Sequence, residues 1–131
     1  MPARGPDYSL QDFVAACAAG LAVKVLKTAM QTAPHDFGLM TEPEVVAWIG
    51  NGGLEKPEHA NTETWLNNPD PTQPIWVDSY NFFSGLDYGY IAFMFQPKTK
   101  KWLIKSLKKN DHLDPRPLLL ADRLRKAGWV R

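Results

Sequence analysis

The spacing of apolar residues changes along the chain. Between residues 9 and 50 they recur at helical intervals, and between 75 and 109 they alternate or run together as strands do. Ser9 and Asp12 form an S-x-x-D start signal. Leu10, Phe13, Val14 and Cys17 follow on one helical side, and Gly20 is the stop. Val23-Lys24-Val25 reads as a brief extended link. Leu26, Ala29, Met30 and Ala33 share the face of a second helix, which Pro34 ends or kinks. Phe37-Gly38-Leu39 is the next turn. Thr41-Glu42-Pro43-Glu44 starts a third helix, with a capping Thr, a Pro in the first turn and a Glu at the third helical position. Val45, Val46, Trp48 and Ile49 are its apolar side, and Gly50-Asn51-Gly52-Gly53 stops it.

Residues 54–74 are polar and punctuated by Pro57, Pro69, Pro71 and Pro74, which predicts a long loop pinned to the body by Trp65 and Leu66. The aromatic and β-branched stretch 75–83 predicts a strand. After the turn Ser84-Gly85-Leu86-Asp87, segments 89–96 and 101–109 predict a hairpin around Pro97-Lys98-Thr99-Lys100. With Gln96 opposite Lys101, the pairs Phe95/Trp102, Phe93/Ile104 and Ile91/Ser106 form an apolar face for the helices. Tyr90/Leu107, Ala92/Lys105 and Met94/Leu103 form a mixed face, with Lys109 beyond. A one-residue change at the turn would alter which residues meet. Residues 118–127 predict a short basic amphipathic helix. The expected architecture is α+β: N-terminal helices packed on a small antiparallel meander, with a short C-terminal helix. It forms a single domain over 1–131, with a flexible leader at 1–8 and a basic C-terminal extension at 111–131.

Composition narrows the classes. A chain of 131 residues suits one core. No apolar run is long enough for a membrane helix, and the N-terminus lacks the apolar core of a signal peptide. Cys17 is the single cysteine, so no internal disulfide forms, and its alanine neighbours predict a buried thiol. These features predict a cytoplasmic protein without membrane partners. His35, His59 and His112 lack metal-ligand spacing, so no metal or other cofactor is expected. His112 follows the basic strand, where it can serve as an acid or base or lie on a loop surface.

Charge adds a second pattern beneath a net of +1. Residues 35–87 carry nine acids and one base, whereas residues 98–131 carry eleven bases and three acids. Six lysines fall between Lys98 and Lys109 with no acid among them. Such a stretch either forms a polyanion-binding patch or is a solvated edge that deters strand pairing. Lys98, Lys100, Lys101, Lys109, Arg116 and Arg123 are the candidate nucleic-acid contacts on the first reading.

Specific residues carry a family resemblance. Ile75-Trp76-Val77-Asp78-Ser79-Tyr80, Tyr90, and Leu103-Ile104-Lys105-Ser106-Leu107-Lys108 resemble the I-W-Q-D-V-Y, strand-head Tyr and L-I-V-S-F-K of the RelE/MqsR-like ribonuclease toxins of bacterial toxin–antitoxin systems. The helical layout of residues 9–39 is also similar. The resemblance implies an mRNA endoribonuclease that works without metal, with RNA as substrate and a cognate antitoxin as partner. It places the family's catalytic Tyr on Tyr90 and its strand-end Lys on Lys108; Lys105 is the further candidate for holding a phosphate. Two positions depart from it. Val77 stands where the family has its active-site Gln, and no base stands in the Glu63-Thr64-Trp65 region. Those departures keep open a non-catalytic accessory or inhibitor protein of phage or mobile-element type, binding nucleic acid or protein. A third reading is an immunity-like interaction module using the acidic segment.

Overall fold

The computed structural model describes residues 5–20 and 22–110. Three helices precede four consecutive strands: α1 (Leu10–Ala19), β1 (Val23–Val25), α2 (Lys27–Phe37), α3 (Glu42–Gly50), β2 (Glu55–Thr64), β3 (Trp76–Ser84), β4 (Asp87–Gln96) and β5 (Lys101–Lys109). The fold is α+β, as the change of period predicts. The expected helix at 118–127 lies outside the described residues, as do His112, Arg116 and Arg123.

Each helix starts or stops for a local reason. Ser9 caps α1 by accepting the Asp12 N–H, and Thr41 caps α3 by accepting the Glu44 N–H. Gly20 and Gly38 end α1 and α2 in the left-handed conformation, at φ 66° and 70°. Helix α2 runs through Pro34 to Phe37. The helix therefore does not end at Pro34, which lacks only its own backbone donor. Each helix buries residues four apart: Phe13 and Cys17, Ala29 and Ala33, Val45 and Ile49. The helices α1 and α3 cross at a small-residue contact. A Cβ on Gly50 would lie 2.5 Å from the Ala18 backbone.

The sheet has the order β1-β5-β4-β3-β2. It is mixed and not wholly antiparallel, because β1 pairs parallel with β5 through Val23↔Trp102 and Val25↔Ile104. The segment expected as a link thus becomes an edge strand. Residues 54–74 are likewise not one loop. Their first half is β2, paired antiparallel with β3 through register shifts. Pro57 and the exposed acids fit an edge strand, which needs neither an inner face nor a donor at every position.

The sheet has two unlike faces. On one, Tyr80, Phe82, Ile91, Phe93, Ile104 and Leu107 meet the buried helix residues. The rings of Phe13 and Phe93 stack at 4.0 Å and 3°. On the other, Val77, Ala92, Met94 and Leu103 form a smaller cluster with Ile75, edged by Trp65, Leu26, Tyr8 and Tyr90. Trp65 pins the connection after β2 to this face, whereas Leu66 is 89% exposed and pins nothing.

Beyond β1, the edge of β5 is closed by α2. The Thr28 and Thr32 hydroxyls donate to the Lys105 and Leu107 carbonyls, and Asp36 accepts the Lys109 N–H. These helix residues are four apart and the strand residues two apart. Both steps span about 6 Å, so the helix matches the strand rung by rung.

Candidate functional site

The hairpin keeps the expected register only near its turn. Phe95 pairs with Trp102, Met94 with Leu103 and Phe93 with Ile104. A bulge then intervenes, and Ala92 pairs with Ser106, Ile91 with Leu107 and Tyr90 with Lys108. The extra residue is Lys105. This corrects the expected Tyr90/Leu107, Ala92/Lys105 and Ile91/Ser106 pairs. A bulge places two residues against one without disturbing the pattern of residue types that periodicity reads. Its consequence is chemical: Leu107 turns to the helix core and Lys108 comes to stand beside Tyr90. The Lys108 Nζ lies 5.7 Å from the centre of the Tyr90 ring, within cation–π range. Lys105 lies on the same face, where it and Trp65 line one cleft.

A polar row crosses this face. Asn81 pairs with Tyr90, and Tyr90 with Lys108. Asn110 ties the row at its end, donating from Nδ2 to Asn81 Oδ1 at 2.6 Å and to the Gly89 carbonyl at 3.3 Å. Val77 lies four positions before Asn81 on β3 and only 2% exposed, inside the smaller apolar cluster. Tyr90 and Lys108 are therefore brought together and Asn81 joins them unforeseen, whereas Lys105 shares their face but stands at the Trp65 cleft, three residues before Lys108 on β5. The side-chain period of two along β3 could have placed Asn81 there once the register was known.

The remaining lysines do not form one patch. Lys98, Lys100 and Lys101 sit at the turn end of β5, and Lys108 and Lys109 at the other end. Eight residues of strand separate Lys101 from Lys109, a span of about 27 Å. Among the described residues Lys98 pairs with Asp70 at 3.9 Å and Lys109 with Asp87 at 3.8 Å. Two Thr72 hydrogen bonds hold the Asp70 carboxyl below its ordinary range, and Lys98 adds to that. The acids Glu55, Glu58 and Glu63 lie on β2, the opposite edge strand from the β5 side. These three acids thus lie across the sheet from the β5 lysines, whereas Asp36, Asp70 and Asp87 stand beside Lys98 or Lys109.

A second polar cluster escapes the pattern of the sequence. Asp78 is fully buried on β3. Its carboxylate accepts the Asp7 N–H at 3.0 Å, the Tyr8 N–H at 2.8 Å and the Thr62 hydroxyl at 2.7 Å. Thr62 Oγ1 also meets His59 Nε2 at 2.8 Å. Since the Thr62 proton is committed to Asp78, His59 is the donor in that contact. Tyr8 donates to the Trp76 carbonyl at 2.7 Å. Asp7 and Tyr8 are therefore anchored and not part of a loose leader. This network satisfies a buried charge and fastens the chain before α1 to β3.

Burial raises the pKa of Tyr8 and Tyr80, and the nearby Asp78 charge adds to both. Burial pushes the Cys17 thiol up to about 12, which keeps it protonated and unreactive as expected for a core cysteine. Among the described residues no group of His, Cys, Asp and Glu could hold a metal ion, and no helix is long and apolar enough to cross a membrane. No protein-family model matches the chain, and no curated protein or solved structure matches it.

Proposed function

We propose that this chain is a toxin-like RNA-binding protein of the RelE/MqsR kind, cleaving mRNA without metal on the helix-free face of its sheet. The observation that carries the reading is the placement of the Lys108 ammonium 5.7 Å from the Tyr90 ring centre, with Lys105 bulged onto the same face. In metal-free cleavage the ribose 2′-oxygen loses its proton and attacks the adjacent phosphorus. The bond to the 5′-oxygen breaks, and that oxygen takes up a proton. The 2′-proton passes to solvent, the Tyr90 hydroxyl protonates the departing 5′-oxygen and is reprotonated from water, and Lys108 balances charge on the five-coordinate phosphorus while Lys105 holds the neighbouring phosphate. A cognate antitoxin is the implied partner, covering this face and its lysines.

The test is cleavage of a labelled RNA in EDTA. Wild type cuts; Tyr90→Phe and Lys108→Ala each slow cutting by about 10²–10⁴-fold. Equal cutting by wild type and the double variant rejects the site.

Burial of Val77 favours a second reading, a non-catalytic binder. The position that holds Gln in the resembled family is here part of an apolar cluster and offers no polar head to a phosphate. Salt-sensitive RNA binding by wild type, with no cut strand at any protein concentration, selects that reading.

A further inference from the structure

The cleft that Lys105 and Trp65 share opens on the same face as Tyr90 and Lys108. It has a volume of about 230 Å³ and is lined by Leu26, Lys27, Thr28, Trp65, Asn67 and Lys105. This is smaller than the roughly 300–1,000 Å³ of a drug-sized pocket, so it suits a single planar ring system. Its lining combines three chemistries. Trp65 offers an aromatic surface held against the Val77–Met94–Leu103 cluster. The Asn67 side chain is exposed and can both donate and accept. Lys27 and Lys105 come from different elements, α2 and β5, and flank the cleft. Neither lysine forms an ion pair among the described residues.

Lys105 links this cleft to the row holding Tyr90 and Lys108. It lines the cleft, and it lies three residues before Lys108 on β5. An RNA strand whose phosphate lies at Lys108 passes Lys105 and reaches the cleft within a nucleotide or two. We infer that the cleft is a base-binding subsite for single-stranded RNA: one unpaired base stacks on Trp65, Asn67 reads its edge, and Lys27 and Lys105 hold the flanking phosphates. A stacking platform with flanking cations is what unpaired RNA requires. A duplex does not fit, because its bases are not available to enter. The inference rests on the proposed RNA-binding reading and adds the strand state and the determinant of base preference.

The experiment measures binding of four fluorescein-labelled octaribonucleotides, differing in base, and of a hairpin RNA. Full-length wild type is compared with Asn67→Ala, Trp65→Phe, Lys27→Ala and Lys108→Ala, each verified as folded by circular dichroism. Wild type is expected to prefer one base and to bind single strands at least ten-fold more tightly than the hairpin stem. Asn67→Ala is expected to reduce the base preference to within two-fold. Trp65→Phe keeps a ring, so it is expected to weaken all four alike while keeping their order. Lys27→Ala is expected to lower the salt slope of log K by about 0.7, the value for one single-strand phosphate contact. Unchanged base preference in Asn67→Ala, together with an unchanged salt slope in Lys27→Ala, overturns the subsite. If binding persists in those variants and falls in Lys108→Ala, the wider RNA-binding reading stands without the subsite. If wild type binds no RNA, both fall.

Discussion

The two faces of the sheet are built from the same three strands and do different work. Toward the helices, β3, β4 and β5 present Tyr80, Phe82, Ile91, Phe93, Ile104 and Leu107, closed over by Phe13, Ala29, Val45 and Ile49. Away from them, the same strands present Val77, Met94 and Leu103 at one end and Asn81, Tyr90 and Lys108 at the other. The first face is apolar except at one end, where the buried Asp78 stands opposite Phe93, and it carries the stability. The second is apolar only where the connection through Trp65 covers it, and turns polar and cationic where it does not. A sheet with one fully buried face can hold such a polar row on the other, because the packed face alone supplies the driving force for folding.

That contrast can be broken from either side. The largest effect belongs to the packed face. Phe93→Ala removes the ring stacked on Phe13 and should cost about 3–5 kcal/mol in urea unfolding. Tyr90→Phe and Lys108→Ala should change stability by about 0.5 kcal/mol or less while slowing RNA cleavage by about 10²–10⁴-fold. A large stability loss in the second pair would erase the distinction between the faces.

Next comes the clamp at the sheet's end. Asp78→Ala leaves the Asp7 and Tyr8 N–H groups and the Thr62 hydroxyl without their acceptor, a loss of about 1–3 kcal/mol. Hydrogen exchange at Tyr8 should accelerate in that variant. Smaller again is Thr32→Val, which removes the donor to the Leu107 carbonyl and should cost about 1 kcal/mol. An unchanged stability there would show that the Thr32 rung adds nothing to the hold of α2 on the β5 edge.

The last effect is alkaline and is absent at neutral pH. The Cys17 thiol has a folded pKa of about 12 against an ordinary 9.0. In the unfolded chain it therefore loses its proton first. Its contribution to stability is full below pH 9 and is lost as pH rises from 9 toward 12. Tyr8 and Tyr80, also raised, act in the same direction above their ordinary value of 10.0. Between pH 9 and 10 the slope belongs mainly to Cys17, so Cys17→Ala should flatten the stability profile in that window.

The sequence was legible wherever local chemistry decides. Ser9 and Thr41 mark helix starts because the capping side chain lies within three residues of the N–H it accepts. The strands β3, β4 and β5 show because their residues are apolar and β-prone. The strand β2 did not show: Glu55 to Thr64 is exposed almost throughout and owes its conformation to pairing with β3, which no local pattern encodes. The three residues of β1 are too few to declare themselves, and their parallel partner lies some eighty residues away. Tyr90 was legible as a candidate, yet its pairing with Lys108 was not, since that depends on the bulge at Lys105. Asn81 and the Asp78–Thr62–His59 chain depend on register between strands and could be found only in three dimensions.

Amide NMR during titration with a single-stranded RNA octamer tests the division between the faces most directly. Shifts concentrated at Asn81, Tyr90, Lys105, Ser106 and Lys108, with α1 and α3 unmoved, are the expected result. Shifts concentrated on α1 and α3, with the Tyr90–Lys108 pair unperturbed, would contradict it.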